Sequence, residues 1–572
     1  MKKVLYIFLL ACVLVGCYED KGNYDYAPTN KINDITFTPS IIESVDGSLI
    51  EVQQPFNENE RVQRIEAHID QTLAENYDKL HFYWNVSYIN EEGKNVTDTI
   101  ETNGYLDIEL PIGKSSEYDI FLQVYDTETT LSRYSKFIVR TRPIFKNSLF
   151  VLHGDEGERK LGNIEVIGND TIVYTDAHGL IHPGENPHLD AEGLSYSTYL
   201  DLSNKTGAWI TKEVSTLTVF HSNSQATAYN PFGLDVKFFN PTIFKPENEM
   251  FIFDRNIQTG DQSNSSLYRI VLSKDGQFYI GNMVPSIYKP ATALVEGETS
   301  STGHQSDYMI TAATITENRF VLWDAKNNRF LYMSKRDNYA KCEDEMNDPN
   351  YEKLSSPILD AFVDFNEVDK SPAGMKAVYA YIQYRQNYST SKPYFIFQDE
   401  ATNRFYRYEL TSLDEDGKGS IANGTKAIYS IRCEEMRNFN PGSNLNTIVF
   451  NSWFTNNYLF YADGNIVYRY NVSNGDRMII YTAPEEYTIS VIKFRTEDSC
   501  DFSGDLGRYL SIGMNKGDEG AVAEIYLNNA ADVEKGVPAV FYDKDINGEK
   551  FGKIKDLQFA HIYLYKPKDY SL

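Results

Sequence analysis

Several things are scarce in this chain, and each scarcity excludes something. There are five cysteines in 572 residues, too few for a disulfide framework. No C-x-x-C pair occurs, which removes the common zinc-ribbon and thioredoxin-like readings. Basic residues are outnumbered by acidic ones, 54 against 81, giving a formal net charge of -27. Such a surface repels phosphate backbones, so no nucleic-acid partner is expected, and it also repels anionic lipid headgroups. No apolar stretch reaches the about 20 residues that a membrane-spanning helix needs. Neither a G-x-S-x-G elbow nor an H-E-x-x-H helix is present, and no catalytic residues are assigned.

The amino end is the exception to this polar character. Lys2 and Lys3 precede an apolar run over residues 4–15, which leads into Leu14-Val15-Gly16-Cys17. That is the pattern of a lipoprotein leader: small residues at the cut, then a thiol able to carry a lipid by thioether linkage. Residues 1–16 are expected to be removed and Cys17 lipidated. Residues 17–33 form an acidic polar tether in which Glu19 and Asp20 follow the anchor as an export signal. The expected location is an outer membrane, lipid-anchored and facing the cell exterior. Cys342, Cys433 and Cys500 remain, an odd number whose disulfide state is left open.

Residues 34–142 read as a small β-sandwich. Leu80, Phe82, Trp84, Val86 and Tyr88 alternate with polar residues, as do Tyr118, Ile120, Leu122 and Val124, with Phe137 and Val139 closing the set. Period-two alternation places each set on one face of a strand. Turn-rich breaks at Asn90-Glu91-Glu92-Gly93 and Asp126-Thr127-Glu128-Thr129 separate the strands. Trp84, mid-strand, is expected as a core anchor.

The run Tyr118-Asp119-Ile120-Phe121-Leu122-Gln123-Val124-Tyr125-Asp126 resembles the late strand of a PKD domain, and the strand around Trp84 fits the same pattern. With the lipobox and Tyr18-Glu19-Asp20-Lys21-Gly22-Asn23-Tyr24-Asp25-Tyr26, the layout resembles the PKD-like family lipoproteins of Bacteroidota. The resemblance implies an accessory surface lipoprotein of a starch-utilisation-type uptake system. It would work beside a TonB-dependent transporter and its substrate-binding lipoprotein.

Residues 143–572 carry a degenerate strand-turn-strand repeat. Phe251-Ile252-Phe253-Asp254, Phe320-Val321-Leu322-Trp323-Asp324, Tyr394-Phe395-Ile396-Phe397-Gln398-Asp399 and Tyr458-Leu459-Phe460-Tyr461-Ala462-Asp463 each lead through a turn into a second aromatic strand. The aspartates recur roughly 64 to 75 residues apart, long for a propeller blade but consistent with four short strands and extended loops. Weaker copies lie at Leu149 to His153, Leu217 to His221 and Tyr509 to Gly513. The expected fold is therefore all-β, a PKD/Ig-like sandwich followed by a β-propeller of about seven blades, with six or eight as alternatives. The 42 tyrosines and 32 phenylalanines are assigned mostly to packing between blades.

Candidate chemistry is sparse. Of nine histidines, His178, His182 and His188 crowd together with Asp190, and His153 lies upstream. Imidazoles and a carboxylate could bind a transition metal. The Gly- and Pro-rich stretch reads as a loop, in which no helix would align His178 with His182, and the spacing fits no standard zinc pattern. No other cofactor is expected. Asp543-Lys544-Asp545-Ile546-Asn547-Gly548 opens like a calcium loop, but its twelfth position is Ile554, so the bidentate carboxylate is missing. Asp414-Glu415-Asp416-Gly417 is a weaker version. Gly113-Lys114-Ser115 lacks the earlier glycine of a phosphate loop, which would fall at Ile108.

These readings lead to the expectation of a non-catalytic, surface-exposed binding lipoprotein that captures a nutrient or docks to the transporter. The ligand would be a glycan, a peptide or an iron chelate, with its binding residues unassigned. The alternatives are a surface polysaccharide-active propeller hydrolase and a structural scaffold of the uptake complex.

Overall fold

The computed structural model describes residues 29–571, apart from short breaks of five residues or fewer and the longer stretches 241–252, 259–268, 282–287, 296–307, 335–357, 363–369, 384–391, 414–427, 497–506 and 562–569. The chain divides into two compact units, Met1–Pro143 and Ile144–Leu572. Among the described residues, the regular structure of both is almost wholly strand. No described helix is long and apolar enough to cross a membrane.

The first unit is a two-sheet sandwich. Ile32–Thr38, Val62–Gln71 and Tyr105–Glu109 form one sheet. The second sheet runs in the order Ile42–Ser44, Gly47–Gln53, Leu131–Arg142, Glu117–Asp126, Leu80–Ile89, Asn95–Thr102. Gly47–Gln53 and Leu131–Arg142 pair in parallel, and the other neighbours of that sheet are antiparallel. The alternation in sequence becomes alternation in burial. Leu80, Phe82, Trp84 and Val86 point inward beside Tyr118, Ile120, Leu122, Val124, Phe137 and Val139. Trp84 is fully buried, and its indole N–H donates to the Thr102 hydroxyl at 3.1 Å, so the one polar atom it brings inside is satisfied.

Among the described residues the second unit contains seven sheets with a run of four antiparallel strands each, and a small three-stranded sheet of Lys205–Thr206, Trp209–Ile210 and Tyr570–Ser571. From the inner strand outward, the second is Ala191–Leu200, Glu213–His221, Ala226–Tyr229, Val236–Asn240. The fourth is Ile310–Ile315, Arg319–Asp324, Arg329–Ser334, Ile358–Phe362, and the fifth is Lys376–Gln383, Lys392–Asp399, Arg404–Leu413, Ile428–Glu435. The first is made from both ends of the unit. Ile554–His561 pairs antiparallel with Asn147–His153, which continues into Lys160–Ile167 and Asp170–Tyr174. The inner strands meet in a ring. Ile554–His561 touches Ala191–Leu200, which touches Phe253–Gln258, then Ile310–Ile315, then Lys376–Gln383. The ring continues where the Phe450 N–H donates to the Tyr379 hydroxyl at 3.0 Å. It returns through Thr488–Phe494, which contacts both Ile554–His561 and the sixth sheet, made of Val449–Phe450, Tyr458–Asp463, Ile466–Asn471 and Arg477–Thr482. This is a seven-bladed propeller closed by its last long strand.

Packing explains the aromatic runs. In Arg319–Asp324, Phe320 and Leu322 join the core shared with Ile270, Leu272 and Phe278 of the third blade. Val321 and Trp323 join Phe395 and Phe397 of the fifth. Successive side chains point to opposite faces, and here both faces are covered, so each position from Phe320 to Trp323 is apolar.

The second strands of the blades carry the repeated motif. Asp324 ends one of them, and its carboxylate accepts from the backbone N–H groups of Met309, Lys326 and Asn327 and from the Arg329 guanidinium. Asp399 accepts likewise from Ala401, Thr402 and the Lys370 ammonium. Both hairpins then turn through an asparagine with positive φ, Asn328 at 51° and Asn403 at 52°, a conformation that asparagine tolerates better than most residues. Asp254 departs from this pattern. It lies within the first strand of its blade, Phe253–Gln258, where the register shifts, rather than at a hairpin turn.

Candidate functional site

The histidine-bearing stretch connects the outer strand of blade one, Asp170–Tyr174, to the inner strand of blade two, Ala191–Leu200. It is not wholly a loop, as the glycines and prolines suggested. Ala177–Ile181 forms a short helix whose amino end is capped by Asp176, its carboxylate accepting from the Gly179 N–H at 2.8 Å. A side chain at Gly179 would run into that same carboxylate. The helical turn sets His178 and His182 four residues apart on one face, with ring centroids 4.8 Å apart. A local cap outweighed the breaker residues, and so the expectation that no helix aligns these two imidazoles is corrected.

His188 joins them. Its ring lies edge-on to His178 at 4.8 Å and is fully buried against Tyr229, centroids 5.5 Å apart. Asp190 does not join them. Its carboxylate accepts from His221 Nδ1 at 2.9 Å, and His221 Nε2 meets the Thr227 hydroxyl at 3.3 Å. His221 is the residue that sequence reasoning missed. It ends the second strand of blade two, as His153 ends that of blade one. The signal was this shared position, since the end of a blade's second strand lies close to the connection entering that blade.

His153, grouped with the cluster by proximity in sequence, serves another purpose. Its Nε2–H donates to the Thr175 carbonyl at 2.6 Å and its Nδ1 accepts from the Gly552 N–H at 2.9 Å. It thereby ties the first blade to the closing segment. Nearby, the buried Arg159 guanidinium pairs with Glu192 at 2.7 Å, and Glu192 also meets Lys555 at 3.0 Å.

Burial sets the electrostatics of the cluster. It pushes His188 well below the ordinary imidazole range, aided by neighbouring His178 and His221. It lowers His178 as well, with the His182 charge adding to the effect. His221 is lowered by burial against the opposing pull of Asp190. At neutral pH these three rings are neutral and offer lone pairs. His182 Nε2 donates to the Leu234 carbonyl at 3.1 Å, which in the neutral ring leaves Nδ1 as its lone-pair nitrogen. His178 Nδ1 has no partner, and neither ring nitrogen of His188 has one. Among the described residues, no three His, Cys, Asp or Glu side chains are already arranged to hold a metal ion.

The other sequence candidates resolve as follows. Asp545 shapes a turn, accepting from the N–H groups of Asn547 and Glu549, with its second oxygen taking the Thr175 hydroxyl. Cys433 is a half-buried thiol beside Tyr408. Cys17, Glu19, Asp20, Cys342, Cys500 and residues 113–115 and 414–417 lie outside the described residues.

No curated protein matches the chain in sequence. Among solved structures, a Synechocystis apocarotenoid oxygenase mutant is similar at 8% identity over 74% of this chain and 94% of that one, with a TM-score of 0.39. The WD40 domain of SCAP from fission yeast is 10% identical over 69% and 90%, TM-score 0.30. A chain of a nidogen/laminin complex is 8% identical over 72% and 98%, TM-score 0.30. The family comparison matches residues 17–183, reaching past the sandwich to include His178 and His182, and over those residues the chain carries a PKD-like family domain.

Proposed function

We propose that this protein is a lipid-anchored, non-catalytic binding protein of an outer-membrane surface, an accessory to a TonB-dependent uptake complex. The observation that carries the reading is one of order along the chain. A lipobox ending at Cys17 and an acidic tether precede a PKD-like domain, and a seven-bladed propeller follows. The anchor fixes location, and the propeller offers long interblade connections on a rigid ring, an arrangement suited to presenting a binding surface.

The test has two arms. Labelled palmitate is expected to enter the wild-type chain and not the Cys17→Ser variant, and intact cells are expected to lose the protein to external protease. The full chain in mild detergent is expected to co-purify with a transporter and to bind a glycan, peptide or ferric chelate without releasing products. Label entering Cys17→Ser equally would remove the anchor, and turnover of any of these ligands would make the protein an enzyme.

A further inference from the structure

We infer that the outward face of the larger sandwich sheet is a binding platform for an uncharged glycan chain, built on Tyr83, Phe121, Tyr125 and Tyr134. The inference deepens the binding role proposed above and rests on it for the kind of ligand. It places that ligand on the sandwich.

It begins with residues that the core does not use. Leu80–Ile89, Glu117–Asp126 and Leu131–Arg142 send Phe82, Trp84, Ile120, Leu122 and Phe137 into the core, so the alternate positions belong to the solvated face. Such a face ordinarily reads polar. Here the register gathers rings on it. Tyr134 stands opposite Gln123, which stands opposite Tyr83 on its other side. Tyr125 stands opposite His81, and Phe121 opposite Asn85. Neighbouring strands lie about 4.8 Å apart and alternate residues of one strand about 7 Å apart, so these rings share one patch. Phe121 and Tyr134 stack with centroids 5.5 Å apart, and His81 and Tyr83 stack at 6.3 Å. Phe121 is 38% exposed and Tyr134 55%. Large aromatic rings left in water on a rigid sheet, with polar side chains between them, mark an interaction surface.

Three features of the patch select its occupant. The first is charge. The chain as a whole carries -27, yet each outward carboxylate described on these three strands and on Asn95–Thr102 has a partner. Glu117 pairs with Arg140 at 2.7 Å, Asp119 with Lys136 at 4.0 Å, and Glu101 with His81 at 2.9 Å. An ionic polymer therefore finds no surplus of either sign to bind. The second is the backbone. The three ring-bearing strands are interior to their sheet, so their N–H and C=O groups are spent on neighbouring strands. An extended peptide has no edge there to pair with. The third is the set of polar groups among the rings. The Thr99 hydroxyl donates to Asn85 Oδ1 at 2.7 Å, which fixes the amide and leaves its nitrogen as a donor. Gln123 Nε2 donates to the Ser132 hydroxyl at 2.9 Å, which leaves its carbonyl oxygen as an acceptor. The tyrosine hydroxyls can do either. A pyranose ring presents C–H bonds on its faces and hydroxyls around its edge. It matches aromatic faces flanked by amides and hydroxyls, and it needs neither a charge nor a strand edge.

The experiment is affinity gel electrophoresis of the full chain in detergent. The gels contain soluble starch, mixed-linkage β-glucan, xylan or galactomannan, with polygalacturonate as the charged comparison. At least one neutral polymer is expected to retard the wild type, and polygalacturonate is not. Tyr134→Ala should weaken that retention about 10-fold, the loss of one interface aromatic, and Tyr134→Ala with Phe121→Ala at least 100-fold. Tyr105→Ala, on the outward side of the other sheet, should leave it unchanged. Both platform positions are exposed, and circular dichroism checks folding; if the double variant unfolds, Tyr134→Ala decides. No retardation by any neutral polymer overturns the inference, and so does retardation by polygalacturonate alone. Retention unchanged in the double variant also overturns it, while leaving the chain a binding protein with its site elsewhere. Loss of transporter co-purification in the double variant, with glycan retention unchanged, would make the face a protein dock. Failure of the palmitate label with glycan retention intact would break the proposed location and leave the platform standing.

Discussion

The sandwich and the propeller bury apolar residues by opposite rules. In Leu80–Ile89 every second residue is inside and its neighbours face outward. In Lys392–Asp399, Pro393 to Phe397 are all buried, because a neighbouring blade covers each face. A tryptophan stands in each setting. Trp84 packs in the single core of two sheets, and Trp323 lies between two blades of a ring. Covering both faces makes each blade dependent on two neighbours, whereas the sandwich has a single core between its two sheets.

The largest test of this contrast is truncation of the two tryptophans. Each Trp→Ala change should cost about 3–5 kcal/mol. Hydrogen exchange read separately in the two units should show Trp84→Ala loosening the sandwich alone. Trp323→Ala should loosen blades four and five first and then the rest of the ring. Loss of protection in the sandwich on Trp323→Ala would break the comparison.

The hairpin aspartates come next. Asp126 in the sandwich and Asp324 in the propeller accept from backbone N–H groups in similar turns. Asp126 adds only the Thr129 hydroxyl, whereas Asp324 is fully buried and paired with Arg329. Asp324→Ala takes the acceptor from three backbone N–H groups around a fully buried carboxylate and should cost about 3–5 kcal/mol, against about 1–2 kcal/mol for Asp126→Ala. Denaturant midpoints of the two variants test the order.

Acid should separate the units as well. Burial pushes His153 down to about 4 from a free value of 6.5. Between those two pH values the unfolded chain binds a proton that the folded chain refuses, so stability falls as pH falls. The full difference is roughly 3 kcal/mol, and the lowered His178, His188 and His221 act in the same direction. Thermal scans from pH 7 to pH 4 should lower the propeller transition more than that of the sandwich, whose His68 and His81 are exposed. His153→Gln should flatten that dependence.

The smallest effect lies at the turn residues with positive φ. Thr130, at 56°, is a β-branched residue in a strained conformation, and Asn403, at 52°, is not. Thr130→Gly should stabilise the sandwich by about 1 kcal/mol, and Asn403→Gly should leave the propeller nearly unchanged.

How much was legible follows from the same contrast. Alternation made the sandwich readable residue by residue: Leu80, Phe82, Trp84 and Val86 are inside where period two places them. The propeller was readable only as a repeat, because a strand buried on both faces has no period to offer. Asp254 was misplaced for that reason, since an aromatic run ending in aspartate looks alike in a first or a second strand. The helix at Ala177–Ile181 was hidden beneath Gly179 and Pro183, and His221 was hidden by distance along the chain.

By itself, the sequence determined the all-β class, the inward faces of the sandwich and the presence of a blade repeat, because these rest on local alternation and on self-similarity. Only the tertiary structure decided that the blades number seven, that the last long strand completes the first of them, that Asp190 belongs to His221, and that His188 packs against His178 and Tyr229. Those outcomes depend on which distant strands the closed ring brings side by side, and no local pattern records that.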